Sequence, residues 1–193
     1  LTATPNHETP ISNRFSENEE PLVEKQEKAS EAVIKNFLHA FNLNKNDIIA
    51  GYWAYGSEIN LRPLLYHLAE HGYTCALPFA KAPNTPMEFR EWKKFIELTF
   101  DEFHMVAPKD DMRQLVPNII LMPMTSFDKN GMHRGYGKKY YDATLADLRK
   151  KYNNLVVIGV AYSAREVKEL PPYEGMQTVD WILTENSCTK VNK

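Results

Sequence analysis

Three apolar runs constrain the fold of this chain more than any other feature: Ile48-Ile49-Ala50-Gly51-Tyr52-Trp53, Asn118-Ile119-Ile120-Leu121-Met122-Pro123, and residues 155–160. None of them alternates with polar residues, as a strand with one wet face would. Continuous apolar runs suit strands covered on both faces. Helical spacing lies between them. Val33, Ile34, Phe37, Leu38 and Phe41 precede the first run; Leu61, Leu64, Leu65 and Leu68 follow it; Tyr141, Thr144, Leu145 and Leu148 follow the second. Apolar strands alternating with amphipathic helices predict a three-layer αβα architecture around a mostly parallel, Rossmann-like sheet. Residues 74–78, the alternating segment Met87-Glu88-Phe89-Arg90-Glu91-Trp92 and residues 181–183 supply further strands. Ser57 is expected to cap a helix running to about His71, with Pro63 in its early turns and Gly72 as its stop.

The ends of the chain are polar. Residues 1–21 hold Pro5, Pro10 and Pro21 and read as an arm ahead of one domain over 22–193. Residues 185–193 read as a tail without an evident task, and Arg165 and Lys168, after the third apolar run, as a solvated helix start. With 43% of 193 residues hydrophobic, the chain suits a single sizeable core. A net charge of −2 gives no basic face, which argues against a nucleic-acid partner. No run of about 18 apolar residues offers a membrane span. Cys75 and Cys188 are too few for a disulfide framework, and Cys75 sits in an apolar run, where packing is the expected role. The expectation is a cytoplasmic monomer acting on small molecules.

In open sheets of this kind, ligands bind beyond the carboxyl ends of the strands. The loop after the second run is therefore the first place to look. Phe127-Asp128-Lys129-Asn130-Gly131 leads there into Arg134-Gly135-Tyr136-Gly137-Lys138-Lys139-Tyr140-Tyr141-Asp142. The glycines let backbone N–H groups approach an anion, a helix N-terminus follows, and Lys138 and Lys139 add charge. Asp142 offers a carboxylate for a magnesium ion on phosphate oxygens. The Walker A pattern is absent. As a bare pattern the loop also reads as a glycine-rich turn that caps a helix.

Phe-Asp-x-x-Gly followed by Gly-x-Gly-Lys-x-Tyr-Tyr-Asp, after an apolar strand ending in proline, resembles the signature of 5-formyltetrahydrofolate cyclo-ligases, also called methenyltetrahydrofolate synthetases. Three further elements are similar to that family: Gly56-Ser57-Glu58-Ile59, then Ala76-Leu77-Pro78 with Met87-Glu88-Phe89-Arg90-Glu91-Trp92, and Val179-Asp180 before a short strand. The resemblance runs from about residue 30 to 185. It implies an ATP- and Mg2+-dependent closure of 5-formyltetrahydrofolate to 5,10-methenyltetrahydrofolate, with ADP and phosphate released through a phosphorylated formyl intermediate. By motif position it implies catalytic roles for Lys138 and Tyr140. It assigns ATP to Arg134, Gly135, Tyr136, Gly137, Lys138, Lys139, Tyr140 and Tyr141. It assigns the folate, with or without a polyglutamate tail, to Trp53, Glu58, Arg90, Tyr136 and Tyr140, and magnesium to Asp142 and Asp180. Arg90 is expected to meet the tail carboxylates; Trp53 and Tyr55 are expected to flank the pterin.

The chain departs from the family's pattern in places. It lacks the Lys-x-x-Leu-Arg element on the first helix, where its basic residues are Arg14, Lys25 and Lys28. It has His133-Arg134 where the family usually has Arg-Leu, and Lys139 in place of the last glycine. Two readings follow: an active ligase that binds ATP through other contacts, and a weakened relative that binds folate or ATP without turnover. His67-Leu68-Ala69-Glu70-His71 matches an H-x-x-E-H zinc pattern, but it falls at a helix end, where cationic side chains suit the dipole, and no third ligand is signalled.

Overall fold

The computed structural model describes residues 22–135 and 140–192. The arm expected over 1–21 lies outside them. Three helices are seen: α1 (Leu22–Ala40), α2 (Arg62–Glu70) and α3 (Tyr140–Lys151). The strands are β1 (Ile48–Ala50), β2 (Thr74–Phe79), β3 (Glu88–Trp92), β4 (Leu98–Phe100), β5 (Val106–Pro108), β6 (Gln114–Leu115), β7 (Ile119–Pro123), β8 (Ser126–Phe127), β9 (His133–Arg134), β10 (Val156–Val160), β11 (Trp181–Leu183) and β12 (Cys188–Lys190). Eight of them form one sheet in the order β12-β11-β10-β7-β1-β2-β3-β6. The run from β11 through β10, β7 and β1 to β2 is parallel; β12 closes one edge antiparallel, and β3 and β6 close the other.

The apolar runs are buried on both faces, as their composition requires. Ile49, Cys75, Leu77, Leu121 and Ile158 face α1 and α2, where they meet Val33, Phe37, Leu64, Leu65 and Leu68. Their strand neighbours Ala50, Ala76, Ile120, Met122 and Val157 face the opposite way, toward Leu145 of α3. Successive strand residues point to opposite faces, so one run serves both cores. The layers are helix, sheet, helix. Burial pushes the Cys75 thiol up to about 12, so it is a packing residue carrying no thiolate near neutrality. Among the described residues no helix is long and apolar enough to cross a membrane.

Three local expectations need correction. α2 starts at Arg62, not near Ser57, which is exposed in a turn with Gly56 at φ 59°. The acceptor for the Arg62 N–H is Asn60 Oδ1, at 3.1 Å. Gly72, at φ 76°, ends the helix as expected, in the left-handed conformation that glycine adopts most cheaply. The C-terminal tail is also structured: β12 pairs with β11, and Val191 is buried. Arg165 and Lys168, expected to start a helix, lie at and beyond a single 3-10 turn over Ser163–Arg165. Finally, His67 and His71 stack on each other at 4.1 Å, and Glu70 pairs with Lys94. No group of three metal-binding side chains occurs among the described residues.

Candidate active site

A cavity of about 770 Å3 opens at the carboxyl ends of β1, β2 and β7, a size that suits a small-molecule ligand. Pro78 and Pro123, the proline-bearing strand ends, form part of its floor. One wall is the segment after β1, with Trp53, Tyr55 and Glu58. A second is the start of α3 with the β8–β9 hairpin, giving His133, Arg134, Gly135, Tyr140, Tyr141 and Asp142. A third is the β4–β5 hairpin, with Phe100, Phe103, Met105 and Val106.

The β8–β9 hairpin is held by Asp128, the acidic residue of the Phe-Asp-x-x-Gly element. Its buried carboxylate accepts from the N–H groups of Asn130, Met132 and Leu170 at 2.9, 3.1 and 2.9 Å. Gly131 is needed twice over: its φ is 76°, and a Cβ there would stand 2.7 Å from the Val179 carbonyl. Asp128 is therefore a loop organiser that aims the following residues at the cavity. At Gly135 an added Cβ would meet nothing within 4 Å, so the backbone there is open to a ligand.

Glu58 is half-buried, and desolvation pushes its carboxyl up to about 7 despite the Tyr55 N–H donating to Oε2 at 2.8 Å. At neutral pH it is poised between acceptor and donor. Tyr141 is near enough to feel that charge; burial first, and Glu58 second, hold its phenol well above the ordinary range. The hydroxyl of Tyr140 is buried and has no hydrogen-bond partner among the described residues. Native interiors rarely leave such a donor unused, which marks it as a group awaiting a ligand. His133 Nδ1 is in the same condition, and burial lowers that imidazole's pKa, keeping it neutral against the nearby Asp142 charge.

Asp142 is buried at 6% exposure. Its Oδ2 accepts from the Tyr173 hydroxyl at 2.7 Å and its Oδ1 from the Gln177 N–H at 2.8 Å. Among the described residues these are the bonds to its two oxygens. Arg134 donates to the carbonyls of His133 and Pro171 at 3.1 and 2.6 Å and lies 4.8 Å from the Tyr173 ring centre.

The structure thus gathers Trp53, Glu58, Arg134, Gly135, Tyr140, Tyr141 and Asp142 about one space. Tyr136, Gly137, Lys138 and Lys139 lie outside the described residues. Two expected site residues are not on the cavity wall. Arg90 is buried at 6%, donates to Asp110 at 2.7 Å and to the Pro108 carbonyl at 3.1 Å, and stacks on Phe79 at 3.5 Å. Asp180 accepts from the Val157 N–H at 2.9 Å and pairs with Arg149 at 3.2 Å. Trp92, the last residue of the Met87–Trp92 motif, packs in the core against Tyr66 at 5.2 Å. Sequence reasoning missed Tyr173 and the whole β4–β5 hairpin. It had passed over His133 as a departure from a pattern.

The sequence profile of the 5-formyltetrahydrofolate cyclo-ligase family matches residues 14–185, most of the chain. The chain belongs to that family. A 5-formyltetrahydrofolate cyclo-ligase of Haemophilus influenzae is 26% identical over 162 residues, covering 76% of this chain and 80% of that protein. The structure of a 5,10-methenyltetrahydrofolate synthetase of Aquifex aeolicus superposes with a TM-score of 0.72 at 25% identity, covering 88% of this chain and 84% of that one. A 5,10-methenyltetrahydrofolate synthetase of Mycoplasma pneumoniae, at 17% identity and TM-score 0.63 over 83% and 87% of the two chains, shares the fold. Cyclo-ligase membership agrees with the position of the cavity, at the strand ends that carry the family's motif residues.

Proposed function

We propose that this cyclo-ligase family member converts 5-formyltetrahydrofolate to 5,10-methenyltetrahydrofolate at the expense of ATP, within the cavity at the ends of β1, β2 and β7. The observation that carries the reading is the convergence of Glu58, Tyr140, Tyr141 and Asp142 on one 770 Å3 space lined by aromatic and apolar side chains. A flat bicyclic ligand suits such walls, and few polar groups are needed to orient it.

In the proposed sequence the formyl oxygen attacks the γ-phosphorus of ATP, forming an O–P bond as ADP leaves. The lone pair of the substrate's aniline nitrogen then attacks the formyl carbon. The C–O bond breaks, phosphate departs with the electron pair, and the nitrogen gives up its proton. The work of the protein is positioning and charge neutralisation. Glu58, at about 7, pairs with the pterin edge as either donor or acceptor. Trp53 supports the ring, and the unpartnered Tyr140 hydroxyl donates to the formyl group. Arg134, the open backbone at Gly135 and the sequence's Lys138 take the nucleotide phosphates. Asp142 fits a magnesium anchor, since it is a carboxylate on the cavity wall with its oxygens oriented by one hydrogen bond each from Tyr173 and Gln177, and hard oxygen donors suit that ion. The ion, when bound, neutralises phosphate charge. Asp180 is assigned to the sheet edge with Arg149.

The test mixes the protein, Mg-ATP and 5-formyltetrahydrofolate and follows the near-ultraviolet absorbance of the methenyl product together with ADP. The expected result is equimolar product and ADP, with neither formed when ATP or the folate is omitted. Absence of product at high enzyme concentration would sink the reading.

A further inference from the structure

Between β10 and β11 the chain runs for some twenty residues, irregular except for the single 3-10 turn, and crosses the start of α3 beside the cavity. It is fastened at points of different kinds. The Leu170 N–H donates to Asp128, the Pro171 carbonyl accepts from Arg134, and Arg149 holds Gln177 and the Thr178 carbonyl at 3.2 and 2.8 Å. Two further fasteners both end on Asp142: the Tyr173 hydroxyl on Oδ2 and the Gln177 N–H on Oδ1. A strap needs only one such anchor to stay in place. Two, one on each oxygen, fix the rotation of the carboxylate as well.

Resting on the assignment of Asp142 to the metal–nucleotide, we propose that Tyr173 is a positioning residue that sets the Asp142 carboxylate for the metal–nucleotide. The Gln177 bond comes from the backbone and holds one oxygen. The Tyr173 bond comes from a side chain and decides where the second oxygen points. The phenol is itself held in place. Arg134 lies against its ring at 4.8 Å and is tied to the Pro171 carbonyl two residues away. Tyr173 also lines the cavity, so its ring closes the wall behind the carboxylate. Burial first and the Asp142 bond next keep the phenol protonated, so it donates throughout the working range. Supporting groups of this type orient a ligating carboxylate without touching the ion.

Tyr173→Phe removes only the hydroxyl and keeps the ring, its contact with Arg134 and the wall. The experiment compares the full chain with Tyr173→Phe, Asp142→Asn and the double variant, using Mn2+ with ATP as the probe. Affinity is read by calorimetry, alongside kcat, the KM for 5-formyltetrahydrofolate and the melting temperature. The expected result is a loss of about tenfold in Mn-ATP affinity for Tyr173→Phe, the usual scale for a supporting hydrogen bond at a metal site. kcat should fall comparably and the folate KM should stay within about twofold, since uniform binding is untouched. In the Asp142→Asn background the same change should add little, because the two residues act as one unit. Unchanged Mn-ATP affinity in Tyr173→Phe, or an equal further loss in the double variant, would overturn the proposal. Mn-ATP binding is read without turnover. Failure of the wild-type protein to cyclise the folate would therefore refute the ligase reading separately.

Discussion

The two long walls of the cavity are built on opposite principles. The strand-end wall, from Trp53 to Glu58 with His133–Gly135 and Tyr140–Asp142, carries the ionisable groups Glu58, Arg134 and Asp142. Two carboxylates that shape it are held by the long irregular segment between β10 and β11: Asp128 accepts from the Leu170 N–H and Asp142 from the Gln177 N–H. The hairpin wall, β4 and β5, is a separate two-stranded ribbon whose contribution, His104 apart, is apolar: Phe100, Phe103, Met105 and Val106. It is shaped locally. The buried Asp101 carboxylate accepts from the N–H groups of Phe103 and Met105, each at 2.9 Å, and of Ala80 at 3.2 Å, and His104 turns the chain at φ 61°. On the proposed function, the difference separates two tasks: the first wall would handle charge, and the second would exclude water and supply contact area.

That division predicts opposite kinetic signatures. The largest effect is expected at Lys138 of the sequence's Gly-rich loop: Lys138→Ala should lower kcat by about a hundredfold or more, the scale for losing one donor to transition-state charge. Folate affinity should hardly change. Equal losses in kcat and in folate binding would mean that Lys138 serves binding generally. On the hairpin wall, Phe103→Ala should raise the folate KM by roughly tenfold, from about 1–2 kcal/mol of lost apolar contact, and leave kcat nearly unchanged. A fall in kcat without a rise in KM would show that the ribbon takes part in the chemistry and would erase the distinction.

The smallest effect is one of pH. Glu58 has a folded-state pKa raised from 4.5 to about 7, so folding favours its protonated form. Its contribution to stability is full below about 4.5 and is lost as pH rises through about 7. Glu58→Gln should therefore melt higher than the parent at pH 8 and nearly level with it at pH 4.5. A constant difference across that window would place the cause outside the titration.

What was legible in the sequence follows the same line between the walls. The central sheet announced itself because strands covered on both faces need uninterrupted apolar runs, and residues 48–53, 118–123 and 155–160 have them. The β8–β9 turn was legible because its backbone requirements leave marks, above all at Gly131, where φ and the Val179 carbonyl both exclude a side chain. The hairpin was not. Its strands are three residues each, β5 ends in proline, and its turn is fixed by Asp101 and by backbone geometry that no periodicity signals. Missing it also hid the surroundings of Arg90, which the resemblance offers to the carboxylates of the substrate's tail. Pro108 and Asp110, at the end of that hairpin and just beyond, take up its guanidinium. Tyr173 was missed for a similar reason, since its partner Asp142 is thirty-one residues away and no spacing rule joins them.

The central claim is that both walls close on one folate. Amide hydrogen exchange, followed with and without 5-formyltetrahydrofolate, addresses it directly. The account predicts slower exchange on binding in peptides covering 98–108 as well as in those covering 52–58 and 133–142. Protection confined to the strand-end wall, with the hairpin exchanging at its free rate, would contradict it.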